Sequence, residues 1–262
     1  MKTVNRYENK VVLVTGGVGA FGMAIATRLV EEGASVVLGD LSLPGQDAIN
    51  TMFGAAGRVH GVQLDVTSPE SWELAIAETR RRFGRFDMLV NNAGTLSPAP
   101  AVFDEIGLDE WRRVFSVNVD GCFLGVQAAL KAMKSSTEGG AIVNMGSIAG
   151  YVGSKDNGAY GASKSAVRNL TKQAAISAAR FGYNVRVNAV HPGYAWTPLV
   201  EAKLTEQYGS RDAAMQFMRS LNPMGKIVEP RDVAAAVAYL GSDDARMITG
   251  ADLIVDAGRL SQ

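Results

Sequence analysis

The sequence is poor in the residues that build disulfides and metal centres. Cys122 is the only cysteine among 262 residues, which excludes an intramolecular disulfide and a thiolate metal cluster. It stands in the apolar run Cys122-Phe123-Leu124 and reads as buried packing. The two histidines, His60 and His191, are far apart and lack carboxylate-rich surroundings, so no metal site is expected. Charge of one sign is also missing, with Lys+Arg and Asp+Glu at 26 each. That balance leaves no electrostatic footprint for nucleic acid or an anionic membrane surface. No apolar run reaches the ~20 residues that span a bilayer. The polar, mixed-charge stretch from Met1 to Lys10 resembles neither a signal nor a transit peptide, and a cytoplasmic protein is expected. No Pro/Ser-rich linker, internal repeat or low-complexity stretch divides the chain, so residues 1–262 read as one domain.

What is present is alternation. Short runs rich in Val, Ile and Leu begin at Val11, Ser35, Val59, Asp87, Ala141, Val185 and Leu253. Between them lie helical patterns at Ala20 to Val30, Pro69 to Phe83, Asp109 to Met133, Tyr160 to Arg180 and Arg231 to Leu240. Continuous apolar strands separated by helices imply a mostly parallel seven-stranded sheet with helices on both faces, a doubly wound α/β domain. The longest region without a strand runs from about 192 to 230. Ligands of such sheets bind beyond the carboxyl ends of the strands, so this insertion is the expected substrate cover.

Gly16-Gly17-Val18-Gly19-Ala20-Phe21-Gly22 joins the first strand to the first helix. Glycines there let backbone approach a pyrophosphate, which the N–H groups of a helix N-terminus attract. A structural turn is the plainer alternative, but strand before and helix after favour dinucleotide binding. Asp40 ends the second strand, eighteen positions after Gly22. Its carboxylate suits the two hydroxyls of an adenosine ribose and repels a 2′-phosphate, which favours NAD. Neither Gly39 nor Leu41 beside it supplies a neutralising arginine.

Tyr160 and Lys164 are four apart and share a face if helical. Making a phenol of pKa about 10 useful near neutrality requires about 4 kcal/mol. A unit charge ~4 Å away, at an effective dielectric near 20, supplies about that much. Alone the pair reads as a solvated helix face; the rest of the chain gives it meaning.

With Thr15 to Gly22, Asp65-Val66, Asn91-Asn92-Ala93-Gly94, Asn118, Ser147, Tyr160 with Lys164, and Pro192-Gly193 before Thr197, the chain resembles the short-chain dehydrogenase/reductase family nearly end to end. The resemblance implies a Rossmann domain and carries roles with it. Gly16, Gly19, Ala20, Phe21, Gly22, Asp40 and Leu41 would hold the dinucleotide, and Asp65 and Val66 its adenine. Asn91, Ala93 and Gly94 would flank it and support the central strand. Pro192 and Gly193 would wall the nicotinamide, and Thr197 would hold its carboxamide. Ser147 would bind the substrate oxygen, Tyr160 would move its proton, Lys164 would lower the Tyr160 pKa and hold the nicotinamide ribose, and Asn118 would complete a proton relay. The common family turn carries glycine where this chain has Ala20. His191 matches no catalytic position and reads as structural.

The resemblance further implies an NAD(H)-linked interconversion of alcohol and ketone. Tyr194, Trp196, Leu199, Met215, Phe217, Met218 and Met224, with Tyr151, suggest an apolar substrate such as a cyclic, aryl or steroid alcohol. The run His191 to Pro198 looks like that of hydroxysteroid and cyclic-alcohol dehydrogenases. Sugar or polyol dehydrogenases and 3-oxoacyl-carrier-protein reductases of the same family are the alternatives within enzymes, and Lys203, Arg211 and Arg219 could serve an anionic substrate. A dinucleotide-sensing protein on the same fold is the alternative outside them. A homotetramer or homodimer pairing the helices 109–133 and 160–180 is expected.

Overall fold

The computed structural model describes residues 5–54, 57–96, 102–153 and 157–262, with the Leu199 side chain outside that set. Seven strands form one sheet in the order β3-β2-β1-β4-β5-β6-β7, and every pairing is parallel. They are β1 Val11–Thr15, β2 Ser35–Asp40, β3 Val59–Gln63, β4 Met88–Asn91, β5 Gly140–Met145, β6 Val185–Pro192 and β7 Asp252–Val255. The order reverses between β1 and β4, so a crevice opens there at the carboxyl ends of the strands.

The helices are α1 Ala20–Glu31, α2 Gln46–Phe53, α3 Pro69–Phe83, α4 Leu108–Phe115, α5 Gly121–Met133, α6 Gly158–Arg180, α7 Pro198–Tyr208, α8 Arg211–Ser220 and α9 Pro230–Gly241. The continuous apolar strands carry a hidden period of two. Val12 and Val14 face one core with Ile25 and Leu29 of α1 and Val233 and Val237 of α9. Leu13, Leu89 and Ile142 face the other with Trp72, Val126 and Val167. Each fully buried side chain of this size contributes roughly 1.5–3 kcal/mol, so both faces must be covered.

Three elements differ from the sequence expectation. The helix expected over 109–133 is broken by a wide π turn at Ser116–Asp120. Packing is close just after the turn. A side chain at Gly121 would stand 2.8 Å from Val66 Cγ2, and one at Gly125 would stand 2.7 Å from the Trp72 ring. Such turns concentrate at functional sites, and this one carries Asn118. Helix α2, for which no bounds were expected, spans Gln46–Phe53.

The strandless region holds α7 and α8, whose start signals were present in the sequence. Thr197 and Ser210 accept bonds from Val200 N and Ala213 N at 3.4 and 3.2 Å, as N-caps do. A bridge between Ala195 and Val228 closes the base of this region. No helix among the described residues is long and apolar enough to cross a membrane.

Candidate active site

The glycine turn is fixed by sterics and by Asn92. Gly16 has φ +60° and abuts Ala93, where a side chain would meet Cα at 3.0 Å. At Gly22 a Cβ would stand 2.1 Å from Gly16 O. Gly19 is the N-cap of α1 and Ala20 its first helical residue, a position where a methyl costs nothing. Asn92 Nδ2 donates to Thr15 O and Gly16 O at 2.8 and 3.1 Å, and Ala93 N donates to Thr15 Oγ1 at 2.9 Å. Asn92 stood in the sequence only within the motif at 91–94, with no role of its own; its role in holding the glycine loop depends on β1 lying beside β4.

Asp40 is half-buried at the carboxyl end of β2, and its Oδ2 accepts from Val18 N at 3.2 Å. Leu41 beside it is exposed. Asp65 is exposed and accepts from Thr67 N at 2.9 Å, whereas Val66 is buried and its carbonyl accepts from Trp72 Nε1. Asn91 donates to Asn144 Oδ1 at 2.9 Å and Asn144 to Thr171 Oγ1 at 2.9 Å. That chain ties β4, β5 and α6 together beneath the crevice.

Beyond β5, Ser147 caps a short 3-10 turn by accepting from Ala149 N at 3.1 Å. Helix α6 brings Tyr160 and Lys164 to the same place. Lys164 is buried; its Nζ donates to Met145 O at 2.7 Å and lies 5.6 Å from the Tyr160 ring centroid. Asn118 donates to Ser163 Oγ and to Thr95 O, both at 3.0 Å, and accepts from Thr95 N at 2.8 Å. Its side chain therefore ties the π turn to α6 and to the loop after β4.

A cavity of about 220 Å³ connects Phe21, Gly94, Ser147, Tyr160, Lys164 and the Pro192-Gly193 turn. Asp40, Leu41, Asp65 and Val66 lie farther along the edge formed by β2 and β3. Thr197 caps α7.

Burial sets the proton affinities. It pushes Tyr160 above its ordinary value, with a hydrogen bond to Ser147 opposing it. It lowers Lys164 to about 8 and pushes Cys122 up to about 12. The phenol is thus raised rather than lowered, because desolvation outweighs the Ser147 hydrogen bond.

In the strandless region, Met218 is buried and Phe217 stacks on Tyr208 at 4.6 Å. Trp196 Nε1 donates to Glu201 Oε2 at 2.9 Å, and Arg211 Nε to Glu201 Oε1 at 2.7 Å. These side chains hold α7 and α8 together, while Tyr194 and Met224 stay exposed. His191, read from the sequence as structural, lies directly behind Ser147 and faces Asp252. The two are 61 positions apart, so no local signal joined them. Among the described residues no cluster of His, Cys, Asp or Glu could hold a metal.

The residues fit a dinucleotide. The turn at 16–22 has no room for side chains at Gly16 or Gly22, the α1 N-terminus has no side-chain cap, and the cavity runs from Phe21 to Tyr160. Fold and site together define a dinucleotide-dependent oxidoreductase. Residues 17–259 match the family model described as Enoyl-(Acyl carrier protein) reductase. The chain is 41% identical over 259 residues to the NADP-dependent (R)-specific alcohol dehydrogenase of Lentilactobacillus kefiri, covering 98% of this chain and 99% of that one. It is 39% identical to the cyclopentanol dehydrogenase of Comamonas sp. (strain NCIMB 9872), covering 97% and 98%. The crystal structure of levodione reductase superposes with a TM-score of 0.87 at 34% identity, covering 97% and 99%. This chain belongs to the short-chain dehydrogenase/reductase family, whose members use a nicotinamide dinucleotide.

Proposed function

We propose that the protein is an NAD(H)-dependent oxidoreductase that interconverts a hydrophobic secondary alcohol and its ketone. The observation that carries this is the convergence of Ser147, Tyr160 and Lys164 on one cavity beside the glycine turn. The dinucleotide, when bound, takes or gives the hydride. The chain's own residues orient the alcohol and move its proton. Ser147 and Tyr160 hold the carbinol oxygen, and Tyr160 exchanges the hydroxyl proton with it. Lys164 supplies the positive charge beside the phenol and a donor for the nicotinamide ribose. Asn118 orders the route for the proton through the π turn.

Asp40 supports NAD over NADP, since its carboxylate at the end of β2 would face a 2′-phosphate with like charge. The L. kefiri relative is named NADP-dependent, so the NAD reading rests on Asp40 and not on that relative. Phe21, Leu96 and Met145 in the lining, together with the cyclopentanol dehydrogenase relative, support a cyclic or otherwise apolar substrate over a sugar. Residues 192–230 would cover it, as part of a single domain. A cytoplasmic homotetramer or homodimer completes the reading; exposed Phe123 on α5 and Ile176 on α6 offer apolar faces for pairing.

The test is absorbance at the nicotinamide band with a panel of alcohols and ketones and both dinucleotides. Turnover of secondary alcohols, lost in Tyr160→Phe with NADH binding retained, is the expected result. A Tyr160→Phe protein that keeps parental turnover sinks the site assignment. Tight NADH binding with no turnover of any substrate favours the sensor.

A further inference from the structure

His191 is fully buried near the end of β6, yet both ring nitrogens have polar neighbours. Nδ1 lies 3.3 Å from the main-chain O of Ser147, and Nε2 lies 3.1 Å from Asp252 Oδ1. The ring also lies against Gly146, where a Cβ would stand 2.2 Å from Nδ1. Asp252 opens β7 and accepts from Arg168 Nε at 2.9 Å and Lys172 Nζ at 2.7 Å, both on α6. Arg168 lies over the Tyr151 ring at 4.0 Å, and Tyr151 meets His191 edge-on at 5.0 Å. Residues 146–151 are therefore held at both ends, and both holds run to one carboxylate.

Burying an imidazole costs free energy unless its nitrogens are partnered; both neighbours here accept, so the neutral ring donates to one of them and only the protonated ring to both. A leucine would fill the same space without that cost. The backbone of Ser147 is extended, at φ −169° and ψ 156°, so the direction of its hydroxyl follows the placement of its peptide. The Ser147 carbonyl accepts from Gly150 N at 3.0 Å and rests on the imidazole, with the carboxylate behind the ring.

We propose that His191 and Asp252 are positioning residues for Ser147. Asp252 fixes the imidazole, and the imidazole fixes the carbonyl of Ser147, the residue whose hydroxyl reaches the substrate oxygen. This rests on the reading of Ser147 as the ligand of that oxygen. His191 acts through Ser147, so its effect depends on the hydroxyl being present.

The experiment is a double-mutant cycle with His191→Phe, which keeps a ring and removes both nitrogens, in the parent and in Ser147→Ala. The expected result is a fall in kcat of about tenfold in the parent and little further loss in Ser147→Ala. Equal losses in the two backgrounds, or no loss in the parent, overturn the proposal. Full activity of Ser147→Ala alone sinks the underlying reading instead. A second measurement needs no turnover: deuterium exchange of the purified full chain. His191→Phe, or His191→Leu if the former folds poorly, is expected to speed exchange at amides 147–151 and leave the 16–22 turn unchanged. Unchanged exchange at 147–151, or a uniform rise across the sheet, overturns the proposal.

Discussion

The ammonium of Lys164 donates to the main-chain carbonyl of Met145 at 2.7 Å, two residues before Ser147. One turn of α6 is thereby tied to the end of β5, and the cation sits in a dry position beside Tyr160. The arrangement is costly. Lowering a lysine from 10.5 to about 8 corresponds to about 3 kcal/mol of disfavoured charge below pH 8.

Replacing that lysine separates stability from activity. Lys164→Met removes the buried charge and also orphans Met145 O, a loss of ~1–3 kcal/mol, so its melting temperature at pH 7 is expected within a few degrees of the parent. Turnover is expected to fall by at least ~100-fold. The sign of the pH effect follows from the lowered pKa. Between about 8 and the ordinary value the unfolded chain holds more protons, so the parent gains stability with rising pH while the variant does not. Thermal melts from pH 7 to 10, with parallel rate measurements, check all three.

Two glycines of the turn should respond differently to alanine. Gly22→Ala drives a methyl to 2.1 Å from Gly16 O, which demands backbone movement and is expected to cost ~1–3 kcal/mol and abolish tight NADH binding. Gly19→Ala meets only Gly16 O, at 3.3 Å, and loses an N-cap preference of about 1 kcal/mol. NADH fluorescence titrations are expected to show binding retained within about tenfold.

Asp40→Ala removes the carboxylate that would oppose a 2′-phosphate. The ratio of kcat/KM for NADP⁺ to that for NAD⁺ is expected to rise by at least about tenfold. An unchanged ratio in steady-state assays with both cofactors would mean that discrimination lies elsewhere in the crevice.

Asp252 links the fold to acid. Burial pushes its pKa up, but the bonds from Lys172 and Arg168 outweigh burial and hold it at about 2. A folded pKa below the unfolded value of 3.8 gives stability that is present above about pH 4 and lost as pH falls through 2. The contribution is ~2 kcal/mol. Asp252→Asn is expected to lower the urea midpoint at pH 7 and to converge on the parent as pH falls to 2.

The seven-stranded, doubly wound sheet was legible because it follows from local pattern and handedness. Val11, Ser35, Val59 and Ala141 begin short β-branched runs separated by helical spacing, and right-handed crossovers leave few ways to assemble them. The glycine turn and the Tyr160–Lys164 pair were legible because each is short and keeps its geometry locally. Helices α7 and α8 were missed although Thr197-Pro198 and Ser210 are N-terminal signals, because the region carries mixed apolar spacing. The break at 116–120 left no mark on periodicity; the glycines that follow it, Gly121 and Gly125, pack closely on Val66 and Trp72.

The sequence by itself determined the doubly wound class, the family, and the residues that gather at the carboxyl edge of the sheet. Those follow from repeating local chemistry, which a linear chain displays. Only the tertiary structure decided how the residues serve one another. Asn92 holds the glycine turn because β4 lies beside β1, Lys164 reaches Met145 because α6 packs on β5, and His191 meets Asp252 because β7 pairs with β6. Such contacts join groups far apart in sequence, and packing across the sheet brings them within bonding distance.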